Sequence, residues 1–141
     1  MHQFNLRIIT PKRIVAEVEV VSVTAPGVGG EFTVLFNHMP LFSLLKEGVV
    51  TVRTDGDESF FSIGGGYLET TGKEVNLLVS RAYGQDEIDE KEVEKARMEA
   101  ERLVKEAPSE VERKQALEQF RRSVVDLKVL KMKGGLKKRV G

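Results

Sequence analysis

The feature that most constrains this chain is a change of hydrophobic period at Gly84. Before it, β-branched and aromatic residues come in short runs: "NLRIIT", "IVAEVEVVSVTA", "VVTVRT", "SFFSIGG", "YLETT" and "EVNLLVS". Between them stand "TPKR", "PGVGG", "DGDE" and "TGKE", which carry the Gly, Pro and Asp that tight turns demand. Many short strands at this spacing predict an all-β sandwich or flattened barrel over residues 1–84. Asp55-Gly56 is read as a type I′ hairpin turn, and the "SIGGGYLE" glycines as a bulge or a close approach between backbones.

After Gly84 the period is helical. Val93, Ala96, Ala100, Leu103 and Ala107 recur at steps of three and four, as do Leu117, Phe120, Val124 and Leu127. Asp86 or Asp89 is placed to cap the first helix. Pro108 ends it, and Ser109 with Glu112 opens the second as a capping box. Residues 85–141 therefore form an antiparallel helix-turn-helix hairpin with a basic tail. Its stripes are narrow and alanine-rich, so each helix can satisfy the other, and the hairpin need not be firmly fixed to the β domain.

Charge follows the same division. The 22 basic and 22 acidic residues cancel, yet residues 1–84 hold 7 and 9, residues 85–113 hold 6 and 11, and residues 114–141 hold 9 and 2. The balances are −2, −5 and +7, so the chain ends in a cationic arm. Cysteine is absent, which excludes disulfides and thiolate chemistry. No signal-like start or long apolar run is evident, and a cytoplasmic location is expected.

Catalytic signatures are missing. His2 and His38 lack metal-ligand spacing, and no nucleophile elbow is present. "PGVGGEF" lacks the third glycine of a dinucleotide fingerprint, and "TTGKE" lacks the glycine and hydroxyl of a phosphate loop. "KVLKMKGGLKKR" is basic, but no aromatic residues interleave it, so no nucleic-acid partner is expected.

The stretch 30–48, "GEFTVLFNHMPLFSLLKEG", together with Thr10-Pro11, "GGYLE" at residues 65–69 and the terminal hairpin, resembles the ε subunit of bacterial and chloroplast F-type ATP synthases. The resemblance covers nearly the whole chain. It implies an N-terminal ten-stranded β-sandwich of two five-stranded sheets (1–84) followed by a regulatory C-terminal helix-turn-helix (85–141). It also implies a non-catalytic central-stalk role, with the β domain holding the γ subunit and the c-ring and the hairpin inhibiting ATP hydrolysis near the α and β subunits. The complex would be peripheral at the cytoplasmic face of the cell membrane, reaching the membrane only through its other subunits.

By the same resemblance, Glu31, Phe32, His38, Pro40 and Leu41 are the expected γ and c-ring interface. Arg121, Arg122, Lys128, Lys131 and Lys133 are the expected regulatory basic face, drawn to acidic groups on the catalytic head. Phe36-Asn37 stands where the family usually has Pro-Gly, so an altered loop is expected. Nucleotide-binding members carry I/L-D-x-x-R-A and further arginines. Here Ile88, Asp89 and Arg122 match, whereas Glu92, Val93 and Asp126 depart, leaving Asp89 and Arg122 as a vestigial site. Acids in place of cations repel phosphate, so neither bound ATP nor any other cofactor is expected. The alternative reading is a stand-alone β-sandwich binding module whose helices dimerise or touch nucleic acid.

Overall fold

The computed structural model describes residues 2–37 and 39–132. The strands are β1 (Phe4–Ile9), β2 (Ile14–Val20), β3 (Ser22–Gly27), β4 (Gly30–Leu35) and β5 (Leu41–Leu45), then β6 (Gly48–Thr54), β7 (Asp57–Ile63), β8 (Gly66–Thr70), β9 (Glu74–Val79) and β10 (Ala82–Gly84). A 3-10 turn at Gln85–Glu87 leads into α1 (Glu90–Glu106) and α2 (Glu110–Lys131).

Hydrogen bonding runs β10-β7-β6-β3-β5-β8-β9-β1-β2, with β4 also paired to β3. Because β3 meets β5 only at Gly27 and Leu45, the path folds at that corner into two five-stranded leaves. One is β10-β7-β6-β3-β4 and the other β5-β8-β9-β1-β2. All pairings are antiparallel except β1 with β9. The expected ten-stranded sandwich is what the chain forms.

Alternation builds the core. Phe4, Leu6 and Ile8 of β1 point inward at every second position and meet Val75, Leu77 and Val79 of β9, with Val23, Val50 and Val52 closing the space from the other leaf. β2 is an edge strand, and exposed Glu17 and Glu19 discourage another chain from pairing there.

Three local expectations are refined. The run "IVAEVEVVSVTA" is two strands, broken at Val21, whose N–H donates to the Arg53 carbonyl at 2.7 Å. At the β6–β7 turn only Gly56 has a positive φ, 83°, whereas a type I′ turn needs two such residues. The glycine triplet is a close approach: a Cβ on Gly66 would lie 2.0 Å from the Leu78 carbonyl oxygen, and one on Gly64 would lie 2.2 Å from Ser80 Oγ.

Asp89 and Ser109 cap the two helices as expected, the second through its hydroxyl alone. The Asp89 carboxylate accepts the Glu92 N–H at 3.1 Å, and Ser109 Oγ accepts the Glu112 N–H at 3.2 Å. The apolar stripes follow expectation only in part, with Ala100 buried on α1. Leu103 and Val124 are exposed, and α2 instead buries Ala116, Ser123, Asp126 and Val129. The reason is that α2 has two neighbours: it packs along α1 and also lies on β7 and β6, which turns its buried face toward the sandwich. The hairpin is docked.

Candidate docking surface and hairpin seam

The 30–48 stretch becomes β4, a turn, and β5, and strand parity sorts its side chains. Phe32 and Leu41 pack against the core, while Glu31 and Pro40 are exposed. The outward apolar residues are others: Leu35, Met39, Phe42 and Leu44, joined by Val28, whose N–H donates to the Leu44 carbonyl at 2.9 Å. Phe42 is 61% exposed although its ring stacks on Tyr67 of β8 with centroids 5.0 Å apart. Phe42 and Leu44 alternate outward along β5 with Val28 bonded beside Leu44, an exposed apolar cluster of the kind that is a candidate contact surface. Sequence reasoning passed over Phe42 and Leu44, yet the alternation Leu41-Phe42-Ser43-Leu44-Leu45, phased by buried Leu45, was the signal that identifies them. His38 lies outside the described residues.

The Phe36-Asn37 turn has its own device. Asn37 takes φ 60°, a left-handed backbone that glycine adopts freely and asparagine better than most residues. Its N–H donates to the Gly72 carbonyl at 3.0 Å, and Phe36 stacks on His2 at 4.8 Å. His2 thus has a packing partner.

The seam between α2 and the sandwich is polar at its centre. The Ser62 hydroxyl on β7 donates to Asp126 Oδ1, and the Arg81 guanidinium donates to the same oxygen at 3.2 Å. Glu47, in the turn after β5, lies 3.6 Å from Arg81 on its other side. Gln85 donates from its amide to the carbonyls of Val129, at 2.9 Å, and Met132, which caps the last turn of α2. Asp126 is 9% exposed and is the one charged residue buried among those described. Sequence reasoning registered Asp126 only as a lost arginine, since its partners stand 64 and 45 residues away.

Arg121, Arg122, Lys128 and Lys131 are all exposed, and Lys133 lies outside the described residues. At about 100° per residue, Arg121 and Lys128 share a face with Lys131 beside them, whereas Arg122 is turned away from that group. Arg122 lines a cleft with Thr10, Lys12, Arg13 and Ser80 to Tyr83. Asp89 is engaged as the cap of α1, its carboxylate accepting the Glu92 N–H.

The outer face of α1 is a lattice of ion pairs. Arg97 bridges Glu94 and Glu101, and Arg102 bridges Glu99 and Glu106. Hydrogen bonds from Arg97 and Arg102 hold the Glu94 and Glu99 carboxyls below the ordinary carboxylate range. Among the described residues no group of acidic and histidine side chains is placed to hold a metal ion, and no helix is long and apolar enough to cross a membrane.

The described residues thus set an exposed apolar strand face on the sandwich apart from a helical arm seated through polar groups. Residues 3–85 match the family model described as ATP synthase, Delta/Epsilon chain, beta-sandwich domain. The chain is similar to the ATP synthase epsilon chain of Moorella thermoacetica, 40% identical over 129 residues covering 91% of this chain and 96% of that one. It is also similar to that of Herpetosiphon aurantiacus, 34% identical over 92% of this chain and 95% of the relative. Among solved structures it resembles a chain in the cryo-EM structure of Euglena gracilis mitochondrial ATP synthase, with a TM-score of 0.68 and 24% identity over 91% of this chain and 77% of that one, a likeness of fold. The chain belongs to the ATP synthase epsilon-chain family, the bacterial and chloroplast type of central-stalk subunit.

Proposed function

We propose that the β domain joins the γ subunit to the c-ring, so that ion-driven rotation reaches the catalytic head, and that the hairpin restrains ATP hydrolysis. The observation that carries the first part is the apolar face of Phe42, Leu44, Val28 and Met39 beside exposed Glu31 and Pro40. Burying such side chains against a partner yields about 25 cal/mol per Å² of apolar area, and leaving them in water yields nothing. Mixed apolar and charged groups on one rim suit an interface with other subunits. Phe32 and Leu41 support that face from beneath, as packed residues rather than contacts.

For the second part, Arg121, Lys128 and Lys131 lie on the wet side of the docked hairpin. They are available to acidic groups on the α and β subunits when the hairpin leaves the sandwich. Lys133 and the basic residues after it extend that charge in sequence. In this reading the chain acts at the cytoplasmic face of the cell membrane, held there by its partners, and works without bound nucleotide. Carboxylates support this last point: Glu99 is committed to Arg102, and Asp126 to Arg81.

The test replaces Phe42 and Leu44 together by aspartate in the full chain. Co-purification with γ and the c-ring should fall at least about tenfold, since two apolar anchors become charges, while the thermal midpoint of the free chain stays unchanged because both positions are already wet. Retained association with an unchanged midpoint would overturn the assignment of this face. A variant ending at Gly84 should still bind γ, and loss of binding there would place the interface on the hairpin.

A further inference from the structure

We propose that Asp126, Ser62 and Arg81 form a reversible latch that sets how long the hairpin stays docked on the sandwich, with Glu47 competing for the same guanidinium. The proposal rests on the reading of the hairpin as a regulatory arm, and it adds the groups that govern it. The starting observation is the chemistry of the contact. Where α2 lies on β7, the side chain at the centre is a carboxylate, not the leucine or valine that the rest of the fold would supply.

A buried carboxylate has no stable position without partners, and this one has two from the opposite side of the seam, a hydroxyl and a guanidinium. Around Asp126, though not at fully buried Val129 three residues on, both sides of the contact are therefore groups that water solvates well once they part. An apolar seam resists opening in proportion to its area. A seam of this kind holds firmly while its geometry is complete, and removing either partner leaves an uncompensated buried charge. That is the behaviour of a latch.

Arg81 gives the latch a second input. Its side chain is 13% exposed, and it stands between Asp126 of the hairpin and Glu47 of the β5–β6 turn. Its Nε and Nη2 atoms are buried without hydrogen-bond partners, so its donors are not saturated by the docked state. Glu47 is too far from Arg81 for a good hydrogen bond, and its negative charge both draws on the guanidinium and repels Asp126. The turn carrying Glu47 follows the strand that bears Phe42 and Leu44. A subunit that seats on that strand and supplies a cation to Glu47 thereby releases Arg81 to Asp126 and tightens the hairpin.

The chain contains no cysteine, so a cysteine pair introduced at Lys73 and Gln115 labels the β domain and α2 uniquely for single-molecule energy transfer in the full-length free chain. The unsubstituted seam should give one predominant short distance. D126N should raise the undocked-to-docked ratio at least about tenfold, and S62A should raise it less, because the ion pair survives. E47Q should move the ratio the opposite way. Amide protection at Leu6, Val52 and Leu77 reports whether the sandwich stays folded in each variant. An unchanged ratio in D126N with the sandwich protected would overturn the latch. Loosening by E47Q equal to that of D126N would also overturn it, since general packing, not competition for Arg81, would explain both. In the assembled enzyme D126N should lower ATP hydrolysis. If it frees the hairpin in isolation yet leaves hydrolysis unchanged, the latch stands and the regulatory reading of the arm fails.

Discussion

Leu6, Ile8, Leu68 and Leu77 lose all contact with water inside the sandwich, whereas the hairpin meets the same domain through Asp126, Ser62 and Arg81. The first arrangement draws its stability from area removed from water and has no alternative geometry of similar energy. The second draws it from matched polar groups, each of which has water as a substitute partner. If the proposed latch operates, the first region persists while the second parts. α1 and α2 also pack along each other, so the hairpin can leave the sheet as a unit.

The sharpest challenge to this contrast is mutational. Leu77→Ala removes a fully buried side chain between β1 and β8, and should cost about 2–5 kcal/mol in urea unfolding of the full chain. Gly66→Ala should cost a similar amount, because its Cβ meets the Leu78 carbonyl at 2.0 Å and backbone cannot yield as a side chain does. Both should lower the main transition, and D126N should scarcely move it. If D126N lowers the main transition as far as Leu77→Ala does, the hairpin and the sandwich are one cooperative unit and the contrast fails.

A smaller effect belongs to the hairpin alone. Ser109→Ala removes the acceptor of the Glu112 N–H at the start of α2 and should cost about 1 kcal/mol of helix stability. Hydrogen exchange should show it as faster exchange across residues 110–120, with the sandwich amides unaffected. Faster exchange in β1 and β9 as well would show that the two regions communicate more strongly than the polar seam suggests.

The smallest effect is electrostatic. Arg97 and Arg102 lower the Glu94 and Glu99 pKa values from 4.5, so the folded hairpin binds these protons less readily than the unfolded one. Their stabilisation is fully present above the unfolded value and disappears as pH falls through the lower folded values. Helical ellipticity of the hairpin should therefore decline slightly on acidification below about pH 4.5, and the decline should shrink in high salt because these pairs are wet. An equal decline in a variant with Arg97 and Arg102 replaced by glutamine would assign it to other groups.

Much of the architecture was legible because it is local. Strand alternation, the turn glycines, Pro108, and the caps at Asp89 and Ser109 depend on residues within a few positions of each other. The candidate surface was legible only in part. The resemblance drew attention to Phe32 and Leu41, which face inward, while the wet apolar residues are their neighbours of opposite parity. The helical stripes misled for a related reason: a 3.6-residue period shows that a helix has an apolar face, but not how many neighbours divide it. Val124 lies on the expected stripe and is exposed, and Asp126 lies off it and is buried.

By itself the sequence determined a run of strands followed by two helices, most of their caps and turns, and the charge split along the chain, since periodicity, turn chemistry and composition act over short spans of chain. Only the tertiary structure decided which face of α2 meets the sheet and which groups surround Asp126. Ser62 and Arg81 reach it from 64 and 45 residues away, and a carboxylate reads as a wet helix residue until the fold removes the water and supplies the hydroxyl and the guanidinium in its place.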